Sequence, residues 1–112
     1  MEIEFDTRSL EKLCNNAKEI VRKFGQPGAK KLMQRLGELG AANCLAEIHK
    51  LPQAKLHQLN GTAKGQWALT IHGGLRLVIE PQPKPAFDPA GTGVDLSLVR
   101  AVRVVFVGDY HD

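Results

Sequence analysis

The sequence predicts an α+β fold in which two N-terminal helices pack on a twisted, mainly antiparallel sheet. From Leu10 to Leu39 the apolar residues recur three or four positions apart, which is the spacing of a helix buried on one side. From Trp67 to Ile79 they alternate with polar residues, which is the spacing of strands. The chain has 112 residues, of which 43% are hydrophobic, and that length supports one core, so we expect a single domain spanning 1–112.

The N-terminal half predicts a short strand followed by helices. Residues 2–5 alternate, with Ile3 and Phe5 on one side, and Asp6 or Thr7 can then cap a helix. That helix is expected to end at Gly25 and Pro27, where a second one begins and continues to Gly40. The two helices should form an antiparallel pair. A short third turn, capped by Asn43, follows them.

The second half predicts a β-hairpin at Gly73 and Gly74. A two-residue loop would pair Ile71 with Arg76 and set the apolar positions of one strand against the polar positions of the other. An odd loop, or a bulge with one glycine at positive φ, instead pairs Thr70 with Arg76 and Leu69 with Leu77. We therefore expect the odd loop. The core face then carries Trp67, Leu69, Ile71, Leu75, Leu77 and Ile79, and the other face carries Thr70, His72, Arg76 and Val78.

A proline-rich insertion at 81–97 separates the hairpin from the last strand. Its four prolines are incompatible with a central strand or a helix, so a long connection is expected, anchored by apolar side chains and exposed at its tip. The expected anchors are Phe87, Val94, Leu96 and Leu98. Residues 99–107 are mostly β-branched, which predicts a strand in the middle of the sheet.

The sequence also indicates the cellular compartment and whether a metal or cofactor is expected. The longest apolar run, 104–107, is far shorter than the roughly 20 residues that span a bilayer, and residues 1–6 do not resemble a signal peptide, so we expect a cytoplasmic protein without membrane contact. Cys14 and Cys44 lack the spacing of a metal site and are expected to be reduced core thiols. No metal and no cofactor is expected.

The charge distribution favours a polyanionic partner. Residues 12–35 hold seven basic residues and one acid, and residues 48–79 hold four basic residues, three histidines and no acid. Solvated helix surfaces would explain the first stretch equally well. Imidazoles among cations, without a carboxylate nearby, suit a surface that binds phosphate and exchanges protons near neutral pH.

Four segments together resemble the HigB branch of the RelE/ParE toxin superfamily, bacterial type II toxin-antitoxin toxins. They are Leu56-His57-Gln58-Leu59-Asn60-Gly61, Gly65-Gln66-Trp67-Ala68-Leu69-Thr70-Ile71, Leu75-Arg76-Leu77 and the terminal Asp109-Tyr110-His111. The resemblance implies a microbial-RNase-like RelE fold and a metal-independent endoribonuclease, an mRNA interferase that cleaves mRNA in the ribosomal A site. It further implies a HigA-type helix-turn-helix antitoxin, with operator DNA bound only through the toxin–antitoxin complex.

The sequence departs from the family pattern in three places. Asn60 stands where members often carry Lys, so Lys55 or Lys64 is a candidate replacement for a phosphate-binding cation. The connection at 81–97 is longer than the family's turn, and Asp112 follows the Asp-Tyr-His motif.

Metal-independent RNA cleavage needs a base for the ribose 2′-OH, cations for the phosphorane and an acid for the leaving oxygen. His57 and His111 are candidates for proton transfer, and the planar fork of Arg76 suits phosphate. Asp109 could orient either histidine or act as base, and Tyr110 could stack on a nucleobase, donate to phosphate or simply pack at the strand end. The candidate RNA-binding residues are Lys55, Asn60, Lys64, Thr70 and His72.

Two other functions fit the same fold. A ParE-like protein would bind DNA gyrase without nuclease chemistry, although the presence of His57, Arg76 and the Asp-Tyr-His motif favours cleavage. A catalytically inactive module that binds RNA or the ribosome is favoured only by Asn60.

Overall fold

A computed structural model of the chain describes residues 1–59, 65–83 and 95–109. These residues form a five-stranded sheet in the order β1-β5-β4-β3-β2. The strands are β1 (Glu2–Phe5), β2 (His57–Gln58), β3 (Trp67–His72), β4 (Leu75–Gln82) and β5 (Ala101–Asp109). The helices are α1 (Arg8–Cys14), α2 (Ala17–Ala41) and α3 (Leu45–His49), with 3₁₀ turns at Pro52–Ala54 and Leu96–Leu98.

The last strand lies inside the sheet, as its β-branched composition predicts. β5 pairs in parallel with β1 on one side and antiparallel with β4 on the other. The β2–β3 and β3–β4 pairs are also antiparallel. The sheet is therefore mixed but mainly antiparallel, which confirms the prediction.

The helical region contains one break more than the periodicity predicts. The chain leaves the helix at Asn15 and re-enters it after Asn16, whose side-chain oxygen accepts a hydrogen bond from the backbone N–H of Glu19. The predicted end at Gly25 is a kink, with φ +80°, inside α2. Cys44, not Asn43, occupies the cap position of α3, so that expected cap is wrong.

The hairpin has the predicted register. Thr70 pairs with Arg76 and Leu69 with Leu77, and a bulge between Thr70 and His72 absorbs the odd residue. Gly73 supplies the positive φ, +55°, that such a loop requires. The predicted core positions of both strands are buried.

The helices and the main core lie on one face of the sheet. Ile20, Leu32 and Leu39 from α2 pack with the inward side chains of β3, β4 and β5. We call the opposite face, which carries His57, Thr70, Arg76, Val78 and Phe106, the open face. It has a smaller cluster of its own, in which Leu59, Ala68 and Val78 pack with Val105.

The beginning of the 81–97 connection belongs to the sheet. Pro81 and Gln82 continue β4 and pair with Val102 and Ala101, which corrects the expectation of a connection from Pro81 onwards. The pairing with β3 ends at Ile79, so one side of β4 is an edge at Pro81, where proline is tolerated. Leu96 packs on the core as predicted. Leu98 is 73% exposed and is not an anchor. Phe87, Val94 and the tip lie outside the described residues.

Candidate functional site

Three of the predicted site residues lie on the open face. His57 pairs with Ala68 across β2 and β3, and Thr70 pairs with Arg76 across β3 and β4. Two strand spacings and a shift of two residues put the Cα atoms of His57 and Arg76 roughly 12 Å apart. The sheet therefore presents an imidazole and a guanidinium on one surface, with Thr70 between them.

The backbone holds the His57 ring in a defined tautomer. Nδ1 lies 2.9 Å from the carbonyl oxygen of Lys55, and a carbonyl can only accept, so Nδ1 carries the proton. The lone pair of the neutral ring is then on Nε2. Lys55 has the left-handed φ of +46°, a conformation that lysine rarely adopts. The arrangement suits proton transfer through Nε2.

The guanidinium of Arg76 is hydrogen-bonded to the backbone through one of its nitrogens. Nη1 donates to the carbonyl oxygens of Gly73, at 2.6 Å, and Leu75, at 3.1 Å. Nε is buried, and it has no hydrogen-bond partner within the described part of the chain. The guanidinium is therefore anchored beside the hairpin turn through Nη1.

Carboxylates lie away from these two residues. Glu80 is on the open face, four residues along β4 from Arg76, and it accepts a hydrogen bond from the side-chain amide of Gln66 at 3.0 Å. The salt bridges among residues 1–59, 65–83 and 95–109 do not involve Arg76. The region between His57 and Arg76 therefore keeps the acid-poor character that the sequence predicts.

Asp109 does not join this group by register. It pairs with Leu75, whose side chain is in the core on the helix side, whereas Gly108 pairs with Arg76. Three strand spacings, roughly 14 Å, separate β5 from β2, so Asp109 cannot orient His57 directly. Its side chain is exposed at the end of β5. Tyr110 and His111, and the RNA-binding candidates Asn60 and Lys64, lie outside the described residues.

The remaining RNA-binding candidates flank the site. Lys55 is exposed, and its carbonyl oxygen holds the His57 ring. His72 is exposed at the hairpin end of β3, where it pairs with Leu75 next to the bulge. Thr70 is half-buried. Thr70 therefore lies on the open face between His57 and Arg76, whereas the strand partner of His72 is the core residue Leu75, so the register does not place His72 with them.

Arg35 is buried against the backbone of the strands that carry the candidate site, which the sequence interpretation missed. It counts among the seven basic residues assigned to a polyanion-binding surface, yet it is 2% exposed. Nε donates to the carbonyl oxygen of Thr70 at 3.1 Å, Nη2 donates to that of Gln53 at 3.1 Å, and Nη1 pairs with Glu38 at 3.0 Å. The available signal is its position in the apolar stripe of α2, beside Leu32, Leu36 and Leu39.

The other six basic residues of that stretch are exposed on the helix layer. They are Lys12, Lys18, Arg22, Lys23, Lys30 and Lys31. Arg22 pairs with Glu19 at 3.1 Å, and Lys23 lies over the ring of Phe24. Because the helices pack on the opposite face of the sheet, this basic surface is not continuous with the open face.

The described residues contain neither a metal-binding cluster nor a membrane-spanning helix. Within the described ranges, His, Cys, Asp and Glu side chains do not form a group of three or more that could hold a metal ion. None of the described helices is long and apolar enough to cross a membrane.

Comparison with known proteins identifies the fold. No protein-family model and no curated protein sequence matches the chain. Several solved structures do match, and two of them match over nearly the whole length of both chains. A YoeB/ParE toxin from Agrobacterium tumefaciens is 13% identical, with a TM-score of 0.54, and the match covers 99% of this chain and 100% of the toxin. A YoeB-YefM complex from Staphylococcus aureus is 15% identical, with a TM-score of 0.55, and the match covers 100% of this chain and 98% of the other.

These likenesses establish architecture at a sequence identity too low to carry activity. The chain has the α+β fold of the YoeB/ParE toxins, with helices packed on one side of a mixed sheet. That confirms the predicted fold class. Function has to be argued from the open face.

Proposed function

We propose that the chain is the toxin of a type II toxin-antitoxin system, of the HigB kind, and that it cleaves mRNA on cytoplasmic ribosomes. The observation that carries the proposal is the presence of His57 and Arg76 on one face of a YoeB/ParE-type sheet, with an acid-poor region between them. An RNA strand lying across this face meets a proton-transfer group and a phosphate-binding fork. Side chains, and not a metal ion, supply the chemistry in this proposal.

Cleavage would use the 2′-OH of the substrate as the nucleophile. A base removes its proton, the 2′-oxygen attacks phosphorus, and the 5′-oxygen leaves with a proton from an acid, which gives a 2′,3′-cyclic phosphate. His57 serves through Nε2, because Nδ1 donates to Lys55. Arg76 binds the phosphate through its guanidinium. His111 remains the sequence-predicted candidate for the complementary proton transfer, since Asp109 pairs with the core residue Leu75.

Partners follow from the same proposal. The S. aureus neighbour is a complex of YoeB with YefM. By analogy we propose an antitoxin partner for this chain, of the HigA helix-turn-helix kind that the sequence resemblance implies. Operator DNA would then be bound only through the complex, and the ribosome and its mRNA would be the targets of the toxin on its own.

The test is cleavage of a defined mRNA in a purified translation system. The wild-type chain should cut ribosome-bound mRNA, and His57→Gln should reduce the rate by about 10² to 10⁴. His49→Gln is the matched control, since His49 is exposed on α3. Intact mRNA with the wild-type chain, or full activity of His57→Gln, would contradict the proposal.

A substrate with sulfur in place of the leaving 5′-oxygen separates the two possible roles of His57. Sulfur leaves without needing a proton, so the substrate restores activity to a variant that lacks the acid but not to one that lacks the base. If His57 is the base, His57→Gln stays slow on this substrate. If His57 is the acid, His57→Gln recovers.

A ParE-like gyrase poison is the second candidate, because one structural neighbour is described as a YoeB/ParE toxin. A supercoiling assay with purified gyrase distinguishes the two. Inhibition of gyrase by both the wild-type chain and His57→Gln, with mRNA left intact, would favour this candidate. Ribosome binding without cleavage of mRNA would instead identify an inactive RNA-binding module.

A further inference from the structure

The buried guanidinium of Arg35 donates to two backbone carbonyl groups, one shortly before His57 in the chain and one in the strand partner of Arg76. Its Nη2 donates to Gln53 in the 3₁₀ turn that leads into β2, and its Nε donates to Thr70 on β3. Gln53 lies four residues before His57, and Thr70 is the strand partner of Arg76. One side chain on α2 therefore adds a hydrogen-bonded connection between two segments that are also joined by the short β2–β3 pair and by the packing of Ala54 and Leu56 in the core.

The short strand pair explains why such a connection matters. β2 contributes two residues to the sheet, and they pair with Trp67 and Ala68 but not with Thr70. The turn before β2 consequently has few backbone bonds of its own to fix it against β3. Arg35 supplies donors to both segments from the core side, where side-chain packing excludes water.

The turn that Arg35 contacts also holds the imidazole of His57. The turn held at Gln53 ends in Lys55, whose left-handed backbone presents its carbonyl oxygen to Nδ1. A shift of this turn would move that oxygen away from its position at 2.9 Å and release the preference for one tautomer.

We propose that Arg35 is a positioning residue: through Gln53 and Thr70 it sets the orientation and tautomer of His57 relative to Arg76. The idea rests on the proposed function, since positioning matters for a reaction on the open face. Glu38 completes the arrangement by neutralising the buried charge at Nη1. A lysine cannot replace this residue, because a single ammonium cannot contact three acceptors in the geometry of the planar fork.

The test compares Arg35→Lys with a variant that is destabilised elsewhere in the core. Leu39→Ala removes a buried side chain one turn further along the same helix and keeps the Arg35 guanidinium. Both variants are studied well below their melting temperatures. Arg35→Lys should lower kcat for mRNA cleavage about 10- to 100-fold with KM changed less than twofold, since small misplacements of reacting groups cost about that much. Leu39→Ala should keep the kcat of the wild type.

A spectroscopic readout makes the inference independent of activity. Long-range ¹H–¹⁵N correlation spectra report which ring nitrogen of His57 carries the proton. The wild-type chain should show the Nδ1–H tautomer, and Arg35→Lys should show a mixture, while Leu39→Ala keeps the wild-type pattern. A folded Arg35→Lys protein with the wild-type tautomer and kcat would refute the proposal.

Two outcomes separate this proposal from the previous one. A wild-type chain that shows the Nδ1–H tautomer but leaves mRNA intact contradicts the proposed function, and the tautomer of Arg35→Lys still decides the role of Arg35. If Arg35→Lys does not fold, Glu38→Gln decides it, because replacing the carboxylate that neutralises Nη1 with an uncharged amide should loosen the guanidinium and lower kcat at constant KM. A wild-type kcat and tautomer in Glu38→Gln would then overturn the proposal.

Discussion

The ring of Phe106 lies over the backbone of Gly108 on the open face. A Cβ atom at position 108 would stand 2.8 Å from Cζ of that ring, closer than side chains approach one another. Gly108 is also the strand partner of Arg76. The absence of a side chain at 108 therefore lets an aromatic ring, 39% exposed, lie beside the proposed phosphate-binding residue.

Replacing Gly108 with alanine should displace the Phe106 ring. Because the clashing atom is the far end of a partly exposed side chain, we expect the ring to rotate away at a cost below about 1 kcal/mol in unfolding free energy, less than a buried clash costs. Ring-proton chemical shifts of Phe106 and urea denaturation check this. Gly37→Ala is the control: no atom lies within 4 Å of its Cβ, so this helical substitution should stabilise the fold by about 0.5 to 1 kcal/mol. An unchanged Phe106 spectrum in Gly108→Ala would contradict the described packing.

Arg76→Ala should impair mRNA cleavage more than Arg76→Lys, and neither should match the wild-type chain. Lysine keeps the charge but cannot contact Gly73 and Leu75 while offering a planar edge to phosphate. Cleavage rates at equal ribosome occupancy measure the effect. Arg22→Lys is the matched control, because Arg22 is exposed on the helix layer. Equal rates for all three residues at position 76 would remove it from the site.

Asn16→Ala should destabilise the chain by about 1 kcal/mol. The asparagine side chain accepts the N–H of Glu19 at 3.2 Å and so caps α2 immediately after the break that follows α1. Thermal and urea unfolding measure the loss. Asn43→Ala, at an exposed position before α3, should change stability by less than half as much. Equal losses would show that the Asn16 cap contributes nothing specific.

Cys14 should react slowly with alkylating agents. Burial raises the pKa of this thiol from 9.0 to about 11, so at pH 8 only about one molecule in 10³ carries the reactive thiolate. The alkylation rate should rise about tenfold per pH unit up to about pH 11. Mass spectrometry after timed iodoacetamide treatment follows residue 14, and the urea-unfolded chain gives the reference rate.

The raised pKa of Cys14 predicts that the folded chain loses stability at alkaline pH. Between pH 9.0 and about pH 11 the unfolded chain releases the Cys14 proton while the folded chain keeps it. Ionisation therefore stabilises the unfolded state, and the free energy of unfolding falls as the pH rises through this interval. Cys14→Ala should remove this part of the pH dependence. An identical slope in the variant would contradict the assignment.

The hairpin register could be predicted because it depends on neighbouring residues alone. Alternation in both strands and two adjacent glycines permit one pairing that keeps Leu69 and Leu77 on the same face. The break at Asn15 and Asn16 was not predicted, because the apolar spacing continues through it from Cys14 to Ile20. Local competition by two asparagine side chains interrupts the helix there.

The Arg35 contacts could not be predicted from the pattern. Its acceptors are backbone carbonyls 18 and 35 residues away, and they become neighbours only when β3 and the turn before β2 pack on α2. The edge at Pro81 is non-local too, since a proline fits there only because β3 stops earlier. His57 was predicted from the family resemblance and Arg76 from its residue type and strand alternation, whereas the separation of Asp109 from His57 required the strand order.

Because β5 lies between β1 and β4, the five-stranded sheet cannot form completely until β5 is present. Synthesis proceeds from the N-terminus, so β1 and the β3–β4 hairpin are made before the strand that joins them exists. Closing a contact between residues as far apart as Glu2 and Ala101 carries a large loop entropy and favours slow folding. A growing chain consequently cannot join β1 to the rest of the sheet until β5 has been synthesised.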